Sequence, residues 1–264
     1  MSRITAHRLT EMKRAGEKIV VLTAYDATFS ALCNSNGVDV ILVGDSLGNV
    51  ILGYDSTVPV TMTDMLHHTR AVARGNRDAL VIGDLPYMSY GTLEQTLSNS
   101  AALMQAGAHM VKLEGGAWLA DYVRALTERG IPVCAHLGLT PQSVDALGGY
   151  KVQGRDAESA AKIIADAKSL EAAGARLLVV ECVPSTLGKQ LSDALSIPVI
   201  GIGAGVDTDG QVLVLHDMLG LGEKRPKFVK DFLTGEAGGI GAAIAAYGKA
   251  VRERKFPTKD HSFS

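Results

Sequence analysis

The sequence predicts an α/β fold, a (β/α)8 TIM barrel with an extra N-terminal helix. Three observations carry this. A short unit recurs: an amphipathic stretch ends at Gly, a run rich in Val, Ile and Leu follows, and the run ends on a polar residue. The runs are nearly continuous in apolar residues, as parallel strands are when both their faces are buried. Eight apolar runs, four of them in the full unit, fit within 264 residues, the span of a barrel of this kind.

Taken in order, residues 5–16 read as a helix that can plug the barrel floor, and Ile19–Thr23 is the first run. Gly37 leads through 38–43 to Asp45, and 79–83 precedes Asp84. Gly107 leads through 108–111 to Lys112 and Glu114, Gly130 through 131–135 to His136, and Gly174 through 177–180 to Glu181. In the four units led by Gly37, Gly107, Gly130 and Gly174, the glycine suits the left-handed position that ends a helix, whereas 19–23, 79–83 and 197–201 fit without a leading Gly. Residues 197–201 and a weaker run at 212–215 complete the eight. Helix signals fill the intervals. Thr92 and Gln95 form a capping box ahead of Leu93, Leu97, Ala101 and Met104. Trp118, Leu119, Tyr122, Val123 and Leu126 share one helical face. Asp156 caps a helix that buries Ala160, Ile163, Ile164, Ala167 and Leu170. An open doubly wound sheet competes, but Thr23-Ala24-Tyr25-Asp26 lacks the glycine-rich dinucleotide turn. Two connections, 46–61 and 137–155, are long, and long loops on the C-terminal face of a barrel build sites. The chain reads as one domain over 1–264, with a polar C-terminal tail at 254–264 that is mobile or used between subunits.

Composition narrows the function. Basic residues number 26 and acidic residues 28, so the basic excess of a nucleic-acid binder is missing. No window approaches the ~18 apolar residues of a membrane span. Residues 1–10 lack the apolar centre of a secretory leader. Cys33, Cys134 and Cys182 are odd in number and far apart. Neither a disulfide scaffold nor a structural zinc site is expected, and a reducing cytoplasm suits the chain.

The polar residues that end the runs converge if the barrel closes. Asp45, Asp84 and Glu114 then form three carboxylates on neighbouring strands. Such a group needs a cation, and an all-oxygen set suits a hard ion such as Mg²⁺. Structural ion pairs and helix caps are the competing reading. Lys112 and Glu114 are two apart and point to one side of their strand. Lys112 is either the partner of Glu114 or a clamp for a substrate carboxylate. Glu181 ends an apolar run and suits a general base near neutrality, with a salt-bridged strand end as the alternative. His136 hydrogen-bonds a substrate or is a satisfied core residue. His67 and His68 are adjacent on a helix, diverge, and read as packing or surface residues. Gly201-Ile202-Gly203-Ala204-Gly205 cradles a phosphate or flat ring, or is a tight turn. Cys182 has no cationic neighbour in sequence and is not read as a nucleophile. A metal, a cationic clamp and one carboxylate base suggest proton abstraction beside a carbonyl, with the metal holding a 2-oxo acid. No electrophile follows from the residues alone.

A resemblance supplies one. Leu-Thr-Ala-Tyr-Asp at 22–26, Val-Gly-Asp-Ser-Leu-Gly at 43–48, Val-Thr-Met-Thr-Asp-Met at 60–65 and Asp-Leu-Pro-Tyr-Met-Ser-Tyr at 84–90 open a series. Val-Lys-Leu-Glu-Gly-Gly at 111–116, His-Leu-Gly-Leu-Thr-Pro-Gln-Ser at 136–143 and Gly-Gly-Tyr-Lys-Val-Gln-Gly-Arg at 148–155 continue it. Glu-Cys-Val-Pro at 181–184, Ile-Gly-Ile-Gly-Ala-Gly at 200–205 and His-Asp-Met-Leu-Gly at 216–220 complete it. With these blocks in this order the chain resembles the ketopantoate hydroxymethyltransferase family from about residue 18 to 232. The resemblance implies a cytoplasmic, Mg²⁺-dependent barrel enzyme of pantothenate and coenzyme A biosynthesis, decameric in bacteria. It implies transfer of a one-carbon unit from 5,10-methylenetetrahydrofolate to 3-methyl-2-oxobutanoate, giving 2-dehydropantoate and tetrahydrofolate through a metal-stabilised enolate. By motif, Asp45 and Asp84 ligate the metal, with Glu114 beside it. Ser46, Lys112 and Asp84 hold the 2-oxo acid, His136 lines the pocket, and Glu181 accepts the C3 proton. Asn49, and Leu66 with His67, depart from the family pattern without removing a reacting group. Two other functions compete: a metal-dependent lyase or mutase of a related barrel, and a non-catalytic 2-oxo acid binding protein. The chain lacks the Lys-Lys-Cys-Gly-His segment of the isocitrate lyase type.

Overall fold

A computed structural model describes residues 3–222 and 225–264. Met1 and Ser2, part of the stretch in which no leader is expected, lie outside the described residues. Eight parallel strands close in sequence order into a barrel. α1 (Ala6–Ala15) precedes β1 (Ile19–Thr23), and α2 (Ala27–Ser35) leads to β2 (Val40–Val43). α3 (Leu47–Val50) and α4 (Met62–Gly75) precede β3 (Leu80–Asp84), and α5 (Leu93–Gln105) precedes β4 (Met110–Glu114). α6 (Ala120–Glu128) leads to β5 (Val133–Gly138), and α7 (Val144–Leu147) and α8 (Ala157–Ala172) lead to β6 (Leu177–Glu181). α9 (Ser185–Ala194), β7 (Val199–Ile202), β8 (Gly210–Leu213), α10 (Leu215–Met218) and α11 (Gly239–Arg252) follow. β8 pairs with β1, with Ile19 opposite Gly210, and this seam closes the barrel.

The near-continuous apolar runs are sorted by the period-2 alternation of a strand. Val20, Leu22, Ile41, Val43, Val81, Val111, Leu178 and Val180 belong to the outer core under the helices. Ile19, Val21, Val40, Leu42, Leu80, Ile82, Met110, Cys134, Leu177, Val179, Ile200 and Val212 fill the interior. Leu9 and Met12 of α1 join that interior cluster and plug the floor, as the sequence predicts. Fully burying a residue such as Leu9 contributes roughly 1.5–3 kcal/mol. Lys13 Nζ fixes the plug by donating to Ser192 O, Ile197 O and Asp209 Oδ2 at 2.8–2.9 Å.

Some local readings change. The eighth strand lies at Gly210–Leu213 rather than 212–215, because Val214 already begins the turn into α10. Gly210 must meet β1 closely: a Cβ there would lie 2.4 Å from Ile19 O. Trp118 does not share the face of Leu119 and Val123. A 3-10 turn at Ala117–Leu119 breaks the helical register and leaves Trp118 61 % exposed, stacked on Tyr90. Thr92 caps α5 through Gln95 N, but Gln95 returns its side chain to the Thr92 hydroxyl rather than to the backbone. Thr61 and Asp64 make the full reciprocal box on α4. Within 254–264, Phe256 is buried against Phe232 and Tyr247, and Ser185 N donates to Phe263 O at 2.9 Å. Two phenylalanines anchor a segment that is otherwise polar.

Candidate active site

The same alternation that fills the interior delivers the polar residues. Asp84 follows Ile82 on the inner face, Lys112 and Glu114 follow Met110, His136 follows Cys134, and Glu181 follows Val179. Their side chains form the top layer of the barrel interior, where barrel enzymes place their chemistry. Asp45 and Ser46 stand just past β2 and enter the same space from the loop. All seven residues line one cavity of about 130 Å³.

Lys112 Nζ lies 2.6 Å from Asp84 Oδ2 and 3.0 Å from Glu114 Oε1. Glu114 Oε1 also meets His136 Nδ1 at 3.0 Å. His136 Nε2 stands 3.3 Å from Glu181 Oε2, close enough to attract but not aligned as a hydrogen bond. Asp45, Asp84, Lys112, Glu114 and His136 are all buried, whereas the Glu181 side chain keeps 13 % of its surface open. Glu181 therefore sits at the open side of the ion cluster, beside His136, not in purely apolar surroundings.

Burial and the neighbouring carboxylates of Asp84 and Glu114 push the Asp45 carboxyl well above its ordinary value. Burial likewise raises Asp84, although Lys112 opposes it. Burial works against the Lys112 ammonium, but Asp84, Glu114 and Asp45 hold it well above ordinary lysine. Glu114 is pushed up by burial yet held at about 2 by Lys112 and His136. His136 is pulled down by burial and lifted by Glu114 to about 9, so it is a cation at neutral pH.

Asp45, Asp84 and Glu114 each offer an oxygen within 4.8 Å of the others. Asp84 spends Oδ2 on Lys112, while its buried Oδ1 has no hydrogen-bond partner. An orphaned buried carboxylate oxygen in an all-oxygen group fits a hard divalent cation.

Sequence reasoning missed the residues that hold this group in place. Gln142 donates from Nε2 to Asp45 Oδ2 and Leu85 O, each at 2.9 Å, and from its backbone N–H to Glu114 Oε2 at 3.1 Å. The Tyr90 hydroxyl donates to Gln142 Oε1 at 2.5 Å. Gln142 lies within the quoted run at 136–143, but nothing local marks it, because it is 97 residues from Asp45 in sequence. Tyr25, fully buried, bonds Ser46 Oγ at 2.8 Å. Asp217, from the quoted run at 216–220, lines the cavity. Asn49 lines it too and ties its loop by donating to Tyr54 O. Other sequence candidates lie elsewhere. His68 Nδ1 meets Tyr25 O at 2.7 Å, and His67 is exposed. The glycine run seats the chain's own rings, since Gly203 packs against Phe228 and Phe263. Cys182 is buried, and burial pushes its thiol up.

The family model described as ketopantoate hydroxymethyltransferase matches residues 3–259. The chain belongs to the ketopantoate hydroxymethyltransferase family. The 3-methyl-2-oxobutanoate hydroxymethyltransferase of Stutzerimonas stutzeri (strain A1501) is 60% identical over 266 residues, covering 100% of both chains. That of Pseudomonas fluorescens (strain Pf0-1) is 59% identical with the same coverage. As a hydroxymethyltransferase, the chain is an enzyme whose substrates are small molecules. No helix among the described residues is long and apolar enough to cross a membrane. Solved structures share the fold at low identity. A putative phosphonomutase from Burkholderia cenocepacia J2315 is 18% identical with a TM-score of 0.65, covering 82% of this chain and 95% of that one. A 2,3-dimethylmalate lyase of the PEP mutase/isocitrate lyase superfamily is 17% identical with a TM-score of 0.57, covering 84% of each.

Proposed function

We propose that this hydroxymethyltransferase moves the one-carbon unit of 5,10-methylenetetrahydrofolate to C3 of 3-methyl-2-oxobutanoate, giving 2-dehydropantoate and tetrahydrofolate. The observation that carries the reading is Glu181. It is a cavity-facing carboxylate beside the His136 cation, set apart from the carboxylates that Lys112 neutralises. Asp45 and Asp84 would hold Mg²⁺, with Glu114 beside it directly or through water. When bound there, the ion supplies Lewis acidity to the 2-oxo group. Lys112 and Ser46 donate to the acid, Asp84 takes part by holding the Lys112 ammonium, and Tyr25 and Gln142 keep Ser46 and Asp45 in position. Glu181 takes the C3 proton and leaves its electron pair on the substrate enol system. His136 orients that carboxylate from 3.3 Å. C3 then bonds to the one-carbon unit, and water supplies the hydroxyl oxygen. The C3 proton and the remaining water proton end on the two nitrogens freed in the carrier. The family resemblance supports a cytoplasmic setting and a decamer, which sedimentation of the purified protein checks.

Proton NMR in D2O with Mg²⁺, the 2-oxo acid and the folate tests this. Wild type should lose the C3 signal and form 2-dehydropantoate. Glu181→Gln should slow C3 exchange by about 10²–10⁴-fold, the usual worth of a general base, and still bind the acid. A variant that exchanges at the wild-type rate removes Glu181 as the base. Exchange in wild type without product points to a different one-carbon donor.

A further inference from the structure

The cavity is divided by the order of the strands. The ends of β2 to β6 carry every charged group of the ion cluster and the base. The remaining arc, β7, β8 and β1, faces the same space with Ile202, Val212, Val214 and Thr23, joined by the ring of Phe228. The Thr23 hydroxyl oxygen accepts the backbone N–H of Leu215 at 2.9 Å. One charged side chain lines this arc: Asp217, half-buried on α10. It has no donor or cation among the described residues, and burial alone lifts its carboxyl to about 6.

A half-buried carboxylate without a donor is costly, and a ligand that brings donors recovers the cost. The 2-oxo acid cannot be that ligand. Its reacting end is anionic and offers only acceptors, and it is drawn to Lys112 on the opposite arc. The one-carbon carrier of the proposed reaction has the missing chemistry. Its 2-amino-4-oxopyrimidine ring presents an amino N–H and a ring N–H side by side, and a carboxylate accepts both at once. The ring is also flat and apolar on its faces, which suits a wall of Val214 and Phe228.

Resting on that reading of the donor, we infer that Asp217 is the carboxylate that binds the 2-amino-4-oxopyrimidine edge of the reduced pterin. Val214 and Phe228 pack its face. The two reactants then occupy opposite arcs, with the carrier on β7, β8 and β1 and the acid on β2 to β6. Asp217 acts in recognition of the second substrate and takes no proton in the reaction.

The test compares wild type with Asp217→Asn and Asp217→Ala. Loss of two charge-assisted hydrogen bonds should raise KM for methylenetetrahydrofolate about 10- to 100-fold. C3 exchange of the 2-oxo acid, which needs no carrier, should stay within about twofold. Direct titration with tetrahydrofolate should weaken by the same factor, whereas a 2-desamino analogue, which keeps only the ring N–H, should lose clearly less between wild type and Asp217→Ala. Turnover with an unchanged KM in both variants overturns this inference and leaves the proposed reaction standing. Parallel loss of C3 exchange also overturns it, because Asp217 would then serve the acid. Failure of wild type itself to use the folate removes the donor, and the inference falls with it.

Discussion

Lys112 shows how a single buried residue is held. Its ammonium replaces lost water with two carboxylates at 2.6 and 3.0 Å. Removing one partner of a buried ion pair leaves an uncompensated charge, at about 3–5 kcal/mol. Lys112→Met should therefore lose about that much unfolding free energy at pH 8 in chelator, measured by urea denaturation. The loss should be smaller at pH 5. Without Lys112, the folded-state value of Asp84, already raised by burial, rises further and that of Glu114 moves up as well, so their cost is lifted as they protonate at lower pH. An equal loss at both pH values would refute the charge account. Gln142 makes the same point for a neutral side chain. Its contacts converge from Asp45, from Leu85 and Tyr90 in the loop after β3, and from Glu114, three separate parts of the chain. No local pattern encodes that meeting, so the ion cluster was legible in sequence while its scaffold was not.

At the scale of elements, the end of β5 sets the position of β6. Gly138 adopts φ +87°, and a Cβ there would lie 2.2 Å from Glu181 O. Only glycine allows the two strand ends to approach this closely. Gly138→Ala should displace Glu181 and slow C3 exchange by about 100-fold, the usual result of misplacing a reacting group by ~1 Å. Exchange at the wild-type rate in a folded variant would show that Glu181 is positioned from elsewhere. Cys182, just past the end of β6 at φ +48°, donates its N–H to Ile202 O at 2.9 Å. The long loops do the complementary work, with Ser46 supplied by one and Gln142 by the other. The 3-10 turn that exposes Trp118 belongs to this scale too. A helical face can be read from spacing only where the helix has already begun.

For the whole molecule, barrel closure concentrates charge that folding alone must tolerate. Without a cation, Asp45 and Asp84 are raised carboxyls in a buried group. A divalent cation that binds only the folded chain stabilises it by about 2.7 kcal/mol at 100 times its Kd. Mg²⁺ should raise Tm by several degrees, chelator should reverse the shift, and Asp45→Asn should abolish most of it. A wild-type Tm indifferent to Mg²⁺ would count against this metal site.

The barrel, the floor helix and the list of charged residues at the strand ends were legible in the order of amino acids alone. These follow from local rules: the apolar period of a strand, glycine at helix ends, and charged residues at the ends of the second to sixth runs. The family motifs added the reaction proposed for those residues. Which groups meet was settled by the closing of the sheet. Closure put Glu114 between Lys112 and His136, opened Glu181 to the cavity, brought Gln142 to Asp45, and left Asp217 on the arc opposite the ion cluster. The reason is physical. Each side chain's direction is fixed by its own strand, but its partners lie on other strands, and their distances exist only once the sheet has closed.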